Sequence, residues 1–137
     1  MTHWLLQCNP DRYDTVNPDW LTRWSFAHYG LAAKLHPGDQ VVIWKSGKAA
    51  GVYAIAEVAE GEPYEDQTDT GFKRAEDIGR LFWSVHLQDG QRLGRPVLKP
   101  TLKADPRFAG AQILKNPRQA NPFPVSDKQW DAISSRI

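Results

Sequence analysis

The stretch Gly38-Asp39-Gln40-Val41-Val42-Ile43-Trp44-Lys45-Ser46-Gly47-Lys48-Ala49-Ala50-Gly51-Val52-Tyr53-Ala54-Ile55-Ala56-Glu57-Val58-Ala59 decides the fold class. Its two halves, Gln40–Ser46 and Gly51–Ala59, are rich in β-branched and aromatic residues, and a short glycine-containing loop separates them. That pattern predicts a β-hairpin. His36-Pro37-Gly38-Asp39 before it is turn chemistry. In the second strand Val52, Ala54, Ala56 and Val58 share one face by two-residue alternation. The small alanines on that face predict close approach of another element.

Outward from the hairpin, Thr2–Asn9 reads as a first strand, with Trp4, Leu6 and Cys8 on one face. Asn17-Pro18-Asp19 is a helix start: Asn17 can cap, Pro18 suits the first helical position and Asp19 the positive end of the dipole. Trp20 and Trp24 would then lie on one helical face. Residues 60–79 read as a long irregular connection, and Arg80–Gln88 as a strand ended by an Asp89-Gly90 tight turn. Val97–Leu98 is a short strand between Pro96 and Pro100, and Leu102–Phe108 a short helix. Ser126 and Gln129 form a capping box, with Val125 and Trp130 as the hydrophobic staple, so a helix is expected from about Asp127 to Arg136. Short strands with few, separated helices imply an α+β fold, with a curled sheet or partly open barrel suiting the glycine-rich corners.

The chain has 137 residues, enough for one core without staples. Its longest apolar runs are too short for a membrane helix, and its start lacks the basic and apolar regions of a signal peptide, so a cytoplasmic setting is expected. Cys8 is the only cysteine, which excludes an internal disulfide and a zinc finger. Six tryptophans exceed what a core of this size needs and raise the prospect of an aromatic pocket. Net charge is +1 but unevenly spread. Residues 57–79 hold eight acids against Lys73 and Arg74, whereas 91–123 hold seven bases against Asp105. Such runs read either as solvated surface or as an acidic flap beside a basic face, Arg92–Arg118, that meets phosphates at the pocket.

No dinucleotide, phosphate-loop or metalloprotease motif occurs, and the four histidines lack ligand spacing, so neither metal nor cofactor is expected. Cys8 and a histidine could make a thiol hydrolase only if the fold brought them together. No nucleophile, base and orienting group are placed together by the sequence, which argues against an enzyme.

Trp4-Leu5-Leu6-Gln7-Cys8-Asn9-Pro10, Trp24, the hairpin from Gly38 to Val58, and Ile113–Val125 followed by the capped helix together resemble the EVE domain, across essentially all of residues 1–137. The likeness is greatest to EVE modules that accompany modification-dependent restriction systems. It implies a PUA-like fold, related to the YTH and ASCH domains, with a curled mixed sheet of about five or six strands and flanking helices. It also implies a non-catalytic, monomeric module that takes a modified, methylated base of DNA or RNA, turned out of its stack, into an aromatic-lined pocket. A nuclease or other effector encoded elsewhere would act on what it reads. The alternative is a small-molecule or protein-interaction module using the same pocket.

By position the resemblance assigns Trp24, Phe26, Trp44, Ser46, Gln7, Asn9 and Trp83 to the base pocket. The alternative for Trp24 is a helix face shared with Trp20, for Trp44 and Trp83 the core, and for Asn9 a turn cap. Lys45, Lys48, Lys99, Lys115, Asn116, Arg118 and Gln119 are the expected nucleic-acid contacts. Two stretches depart from the family pattern. Ser25-Phe26-Ala27-His28-Tyr29 is shorter and less polar than usual, and Gln119-Ala120-Asn121-Pro122 stands where relatives often read Gly-Thr-Asn.

Overall fold

Alternation places β1 (His3–Cys8), β3 (Gln40–Lys45) and β4 (Gly51–Val58) at the centre of a sheet, in the computed structural model, which describes residues 2–118 and 121–137. β3 and β4 form the antiparallel hairpin, and β1 lies parallel to β3 in register from His3↔Gln40 to Cys8↔Lys45. β2 (Arg23–Phe26), β5 (Tyr64–Asp66), β6 (Phe82–Leu98) and β7 (Phe123–Val125) complete a seven-stranded mixed sheet. Its order is β2-β6-β4-β3-β1-β7, with β5 also on β6. It curls into a half-barrel of the PUA-like α+β type.

β6 does most of the curling. Asp89-Gly90 does not end the strand. Asp89 takes a φ of 54° inside it, and β6 runs on to Leu98. Opposite β4 it advances from Val97 to Arg92 while β4 moves only from Val52 to Ala54, so the surplus residues bulge and bend the ladder. The first half of β6 pairs with β2 and β5, and the second half with β4, which joins the two limbs of the half-barrel. A second bulge, where β6 moves from Gln91 to Gln88 while β4 moves from Ile55 to Glu57, holds Gly90; a Cβ there would lie 2.7 Å from Leu21 Cβ, so glycine permits the strand to close on that residue.

The expected helix at Asn17 is one 3-10 turn, Pro18–Leu21, capped by Asn17 Oδ1 accepting from Asp19 N at 2.9 Å. Trp24 belongs to β2, not to a helix, because 23–26 alternates half-buried and buried residues against β6. Trp20 and Trp24 nevertheless enter one core. The connection 60–79 is also more ordered than expected: it contains β5, and Phe72 bridges to Tyr13. Short helices α1 (Tyr29–Ala32), α2 (Lys99–Lys103) and α3 (Gln112–Lys115) cover the edges.

The sheet separates two apolar clusters. One holds Leu6, Trp20, Trp24, Phe26, Val41, Ile43, Ala54, Ala56 and Val58. The other holds Leu5, Val42, Trp44, Val52, Phe108 and the helices' apolar faces. A bulge at Tyr53, where Ile43 pairs with Ala54 but Trp44 with Val52, moves Val52 to the second cluster, against the simple alternation.

The capped helix α4 (Asp127–Ser134) forms as expected, with Gln129 N donating to Ser126 Oγ at 3.2 Å and Ser126 N to Gln129 Oε1 at 3.0 Å. Trp130 is only half-buried; it stacks on His3 with centroids 4.8 Å apart. Trp130→Ala should therefore cost roughly 2 kcal/mol, about half the range for a fully buried aromatic. A urea midpoint shift larger than that of Trp24→Ala would contradict this assignment.

Candidate nucleic-acid interface

A cleft of about 590 Å³ opens where the C-terminal end of β1 meets β2 and the 66–82 segment. Gln7 is clamped there: its N–H donates to Asn121 Oδ1 at 2.6 Å and its carbonyl accepts from Asn121 Nδ2 at 2.7 Å. The amide side chain thus continues the ladder beyond β1. Ser46 N and Oγ donate to the Cys8 carbonyl at 2.9 and 3.2 Å, fixing the hairpin end beside it. Asn9 lines the rim and also caps a turn, accepting from Asp11 N at 2.9 Å through Oδ1.

The aromatic wall consists of Tyr13, Trp20, Trp24, Phe72 and Phe82. Phe72 stacks on Phe82 at 4.6 Å and meets Tyr13 edge-on at 5.2 Å. Gly71 lies so close to the Tyr13 ring that any Cβ would overlap it. Trp20 and Trp24 are buried, whereas Tyr13 and Phe72 are half-buried and present ring surface.

Four arginines, Arg12, Arg23, Arg80 and Arg118, line the cleft against two aspartates, Asp69 and Asp77. The acidic segment is not a free flap, because its aspartates hold these arginines in place. Asp77, 2% exposed, pairs with Arg12 at 3.0 Å and Arg80 at 3.7 Å. Arg23 pairs with Asp66 at 3.2 Å and Asp69 at 3.5 Å. Tyr13 Oη donates to Asp69 at 2.8 Å, and burial followed by that carboxylate keeps its phenol well above the usual range. Burial tends to raise Asp66, but hydrogen bonds from Thr68 and Ser84 and the Arg23 charge prevail and hold it below its ordinary value. Burial pushes the Cys8 thiol up to about 12, with Lys45 and Trp20 opposing, so Cys8 stays protonated at neutral pH.

Of the residues expected at the pocket, Gln7, Asn9, Trp24 and Ser46 do line the cleft. Trp44, Phe26 and Trp83 do not. Trp44 is 2% exposed and stacks on Phe108 in the opposite cluster, because alternation pairs it with Val42. Phe26 is buried in the first cluster, and Trp83 packs edge-on against Tyr29 at 5.0 Å. Among the expected nucleic-acid contacts that fall within the described residues, only Arg118 lines the cleft. Lys45 lies over the Tyr53 and Trp20 rings at 4.6 and 5.0 Å, a cation–π placement that turns it inward. Lys48 is exposed in the hairpin loop, and Lys99 starts α2 beside that loop, its N–H donating to Ala50 O at 2.8 Å. Lys115 and Asn116 are exposed at the end of α3. Gln119 lies outside the described residues.

Nor does the Arg92–Arg118 run border the cleft as a unit. Arg92 covers Trp20 at 4.7 Å and donates to the Thr15 and Asn17 carbonyls. Arg107 is tied to Asp105, whose carboxyl is held well below the usual range by Arg107 and then Arg136. Arg12, Tyr13, Arg23, Phe72 and Arg80 were not singled out from sequence. No local signal marks Arg12 or Tyr13, because their partners Asp77 and Asp69 lie 65 and 56 residues away.

Fold and site together define a class: a PUA-like half-barrel with an arginine-rimmed aromatic cleft at the end of its first strand. The sequence model of the EVE domain matches residues 2–136, and the chain belongs to the EVE domain family. A search among curated proteins found no match. Solved structures share the fold. A hypothetical protein from Leishmania major is 20% identical, with TM-score 0.69, over 99% of this chain and 94% of that one. A Pseudomonas putida protein is 17% identical, with TM-score 0.70, over 97% of each chain. Human THYN1, solved in complex with 5-methylcytosine-containing DNA, is 16% identical, with TM-score 0.62, over 99% of this chain and 97% of that one.

Proposed function

We propose that this chain is a non-catalytic reader of a modified base in nucleic acid, with duplex DNA as its target and the base turned out into the cleft. The observation that carries the reading is the cleft itself: aromatic walls, fixed polar ends of β1 and β3, and a surplus of arginines in one concavity. Its volume falls in the usual range of about 300–1,000 Å³ for small-ligand sites. A base stacked on an aromatic ring gains about 1–3 kcal/mol. The half-buried Tyr13 and Phe72 supply that ring surface, while Trp20 and Trp24 shape the wall. Family membership and the THYN1 complex with 5-methylcytosine-containing DNA support the same reading. Such a reader would pass its signal to an effector carried on another chain.

The test is a titration of matched duplexes with one central cytosine or 5-methylcytosine, at low and physiological salt. The modified duplex should bind more tightly, and both affinities should fall with salt. Equal binding would reject modified-base reading. Binding of the free nucleoside with no affinity for either duplex would favour the small-molecule alternative.

Arg118 is exposed at the rim and lacks the carboxylate partners of Arg12, Arg23 and Arg80 among the described residues. Arg118→Glu should weaken both duplexes by a similar factor and lower the slope of log affinity against log salt by roughly one. An unchanged slope would remove Arg118 from the phosphate contacts.

A further inference from the structure

Resting on that reading, we propose that Ile78 is an apolar wedge that enters the base stack of duplex DNA at the gap left by the extracted base. Asp77-Ile78-Gly79-Arg80 is a tight turn, closed by Arg80 N donating to Asp77 O at 3.3 Å. Gly79 has a φ of 78°, as the third position of a type II turn requires. Ile78 sits at the tip and is 57% exposed. Exposed turn tips usually carry polar residues or glycine, so a stiff β-branched side chain here has no role in folding that its burial would explain.

The turn's place gives it one. Both residues flanking the tip, Asp77 and Arg80, line the cleft, as does Phe82 just beyond. The turn is also braced. Asp77 is buried and paired with Arg12 at 3.0 Å, and the Arg80 guanidinium lies 5.0 Å over the Phe82 ring. Ile78 is thus an exposed aliphatic group on a braced turn whose neighbours Asp77 and Arg80 line the cavity that would receive the base. Turning a paired base out leaves its guanine partner orphaned, and an apolar side chain pressed against that orphaned guanine recovers contact that water cannot supply. The rim arginines would hold the flanking phosphates while the wedge enters.

The experiment compares the parent and Ile78→Ser on two duplexes. In one, 5-methylcytosine is paired with guanine. In the other it faces an abasic site, so it is already unpaired. At this exposed position the melting temperature should stay within about 2 °C of the parent. The variant should lose roughly tenfold in affinity for the paired duplex and less than twofold for the abasic one. Equal losses on both duplexes would make Ile78 an ordinary contact, and no loss on either would leave it without a role; both overturn the wedge. A parent that binds neither duplex would overturn the reader itself, whereas a parent that binds both beside an unaffected Ile78→Ser would overturn the wedge alone.

Discussion

Trp24→Ala should cost about 3–5 kcal/mol of stability, a large share of the ~5–15 kcal/mol typical of a domain. Trp24 is 8% exposed. It pairs across the sheet with Val85 and packs in the cluster that holds Phe26, Ala54 and Ala56. Ala54 and Ala56 leave the space that large rings in this cluster fill, so truncation opens a cavity that the rigid sheet cannot close. As a pocket ring, Trp24 would cost less on truncation than Trp130, the staple of α4. The structure reverses that order, since the deeper ring is Trp24. Urea midpoints for both alanine variants decide it: Trp24→Ala should shift further. Because its ring also lines the cleft, Trp24→Phe, which keeps most of the packing, is the variant in which to measure duplex affinity.

Asp66→Ala should cost a further about 3–5 kcal/mol in its own right, the range for removing one partner of a buried ion pair. The carboxylate, 4% exposed, accepts from Thr68 N at 2.9 Å, Thr68 Oγ1 at 2.8 Å and Ser84 Oγ at 3.1 Å, and pairs with Arg23 at 3.2 Å. Ser84 is fully buried and would keep only the Ser25 hydroxyl at 2.8 Å. Asp66→Asn should cost less, because an amide retains one acceptor. The same contacts set a pH dependence. The folded carboxyl lies below its ordinary value of 3.8, so the unfolded chain binds the proton more readily. Its stabilisation is therefore complete above about pH 5 and is lost as pH falls through 3.8 and below. The parent should lose stability over that acid range more steeply than Asp66→Asn. Parallel profiles would show that Asp66 is not the group responsible.

These two residues mark where a sequence is legible and where it is not. α4 could be read outright because its signals are local: Ser126 and Gln129 are three residues apart and cap one turn. The β3–β4 hairpin, the β1 alternation and the turn before Gln40 are likewise short-range, and family resemblance carried the PUA-like α+β class. The helix expected at Asn17 failed after one turn because the ladder with β6, more than fifty residues on, took Arg23–Phe26 as a strand. Asp89-Gly90 has the residues of a tight turn, yet pairing with β4 absorbs it as a bulge.

The cleft shows the division most plainly. Gln7, Asn9, Ser46 and Trp24 were within reach of sequence because they sit at the ends of recognisable strands or at a position shared with the family. Trp44 looked equivalent and is not, since one residue of strand parity places it on the other side of the sheet. The arginines and their carboxylates could not be assigned from sequence at all. Arg12 and Asp77 are 65 residues apart, and Tyr13 and Asp69 are 56 apart. By itself the sequence determined the faces of β1, the caps and the aromatic surplus, because these depend on neighbours along the chain. Only the tertiary structure decided which rings face the cleft and which arginines a buried carboxylate holds, because burial and ion pairing depend on segments that meet only after the sheet has curled.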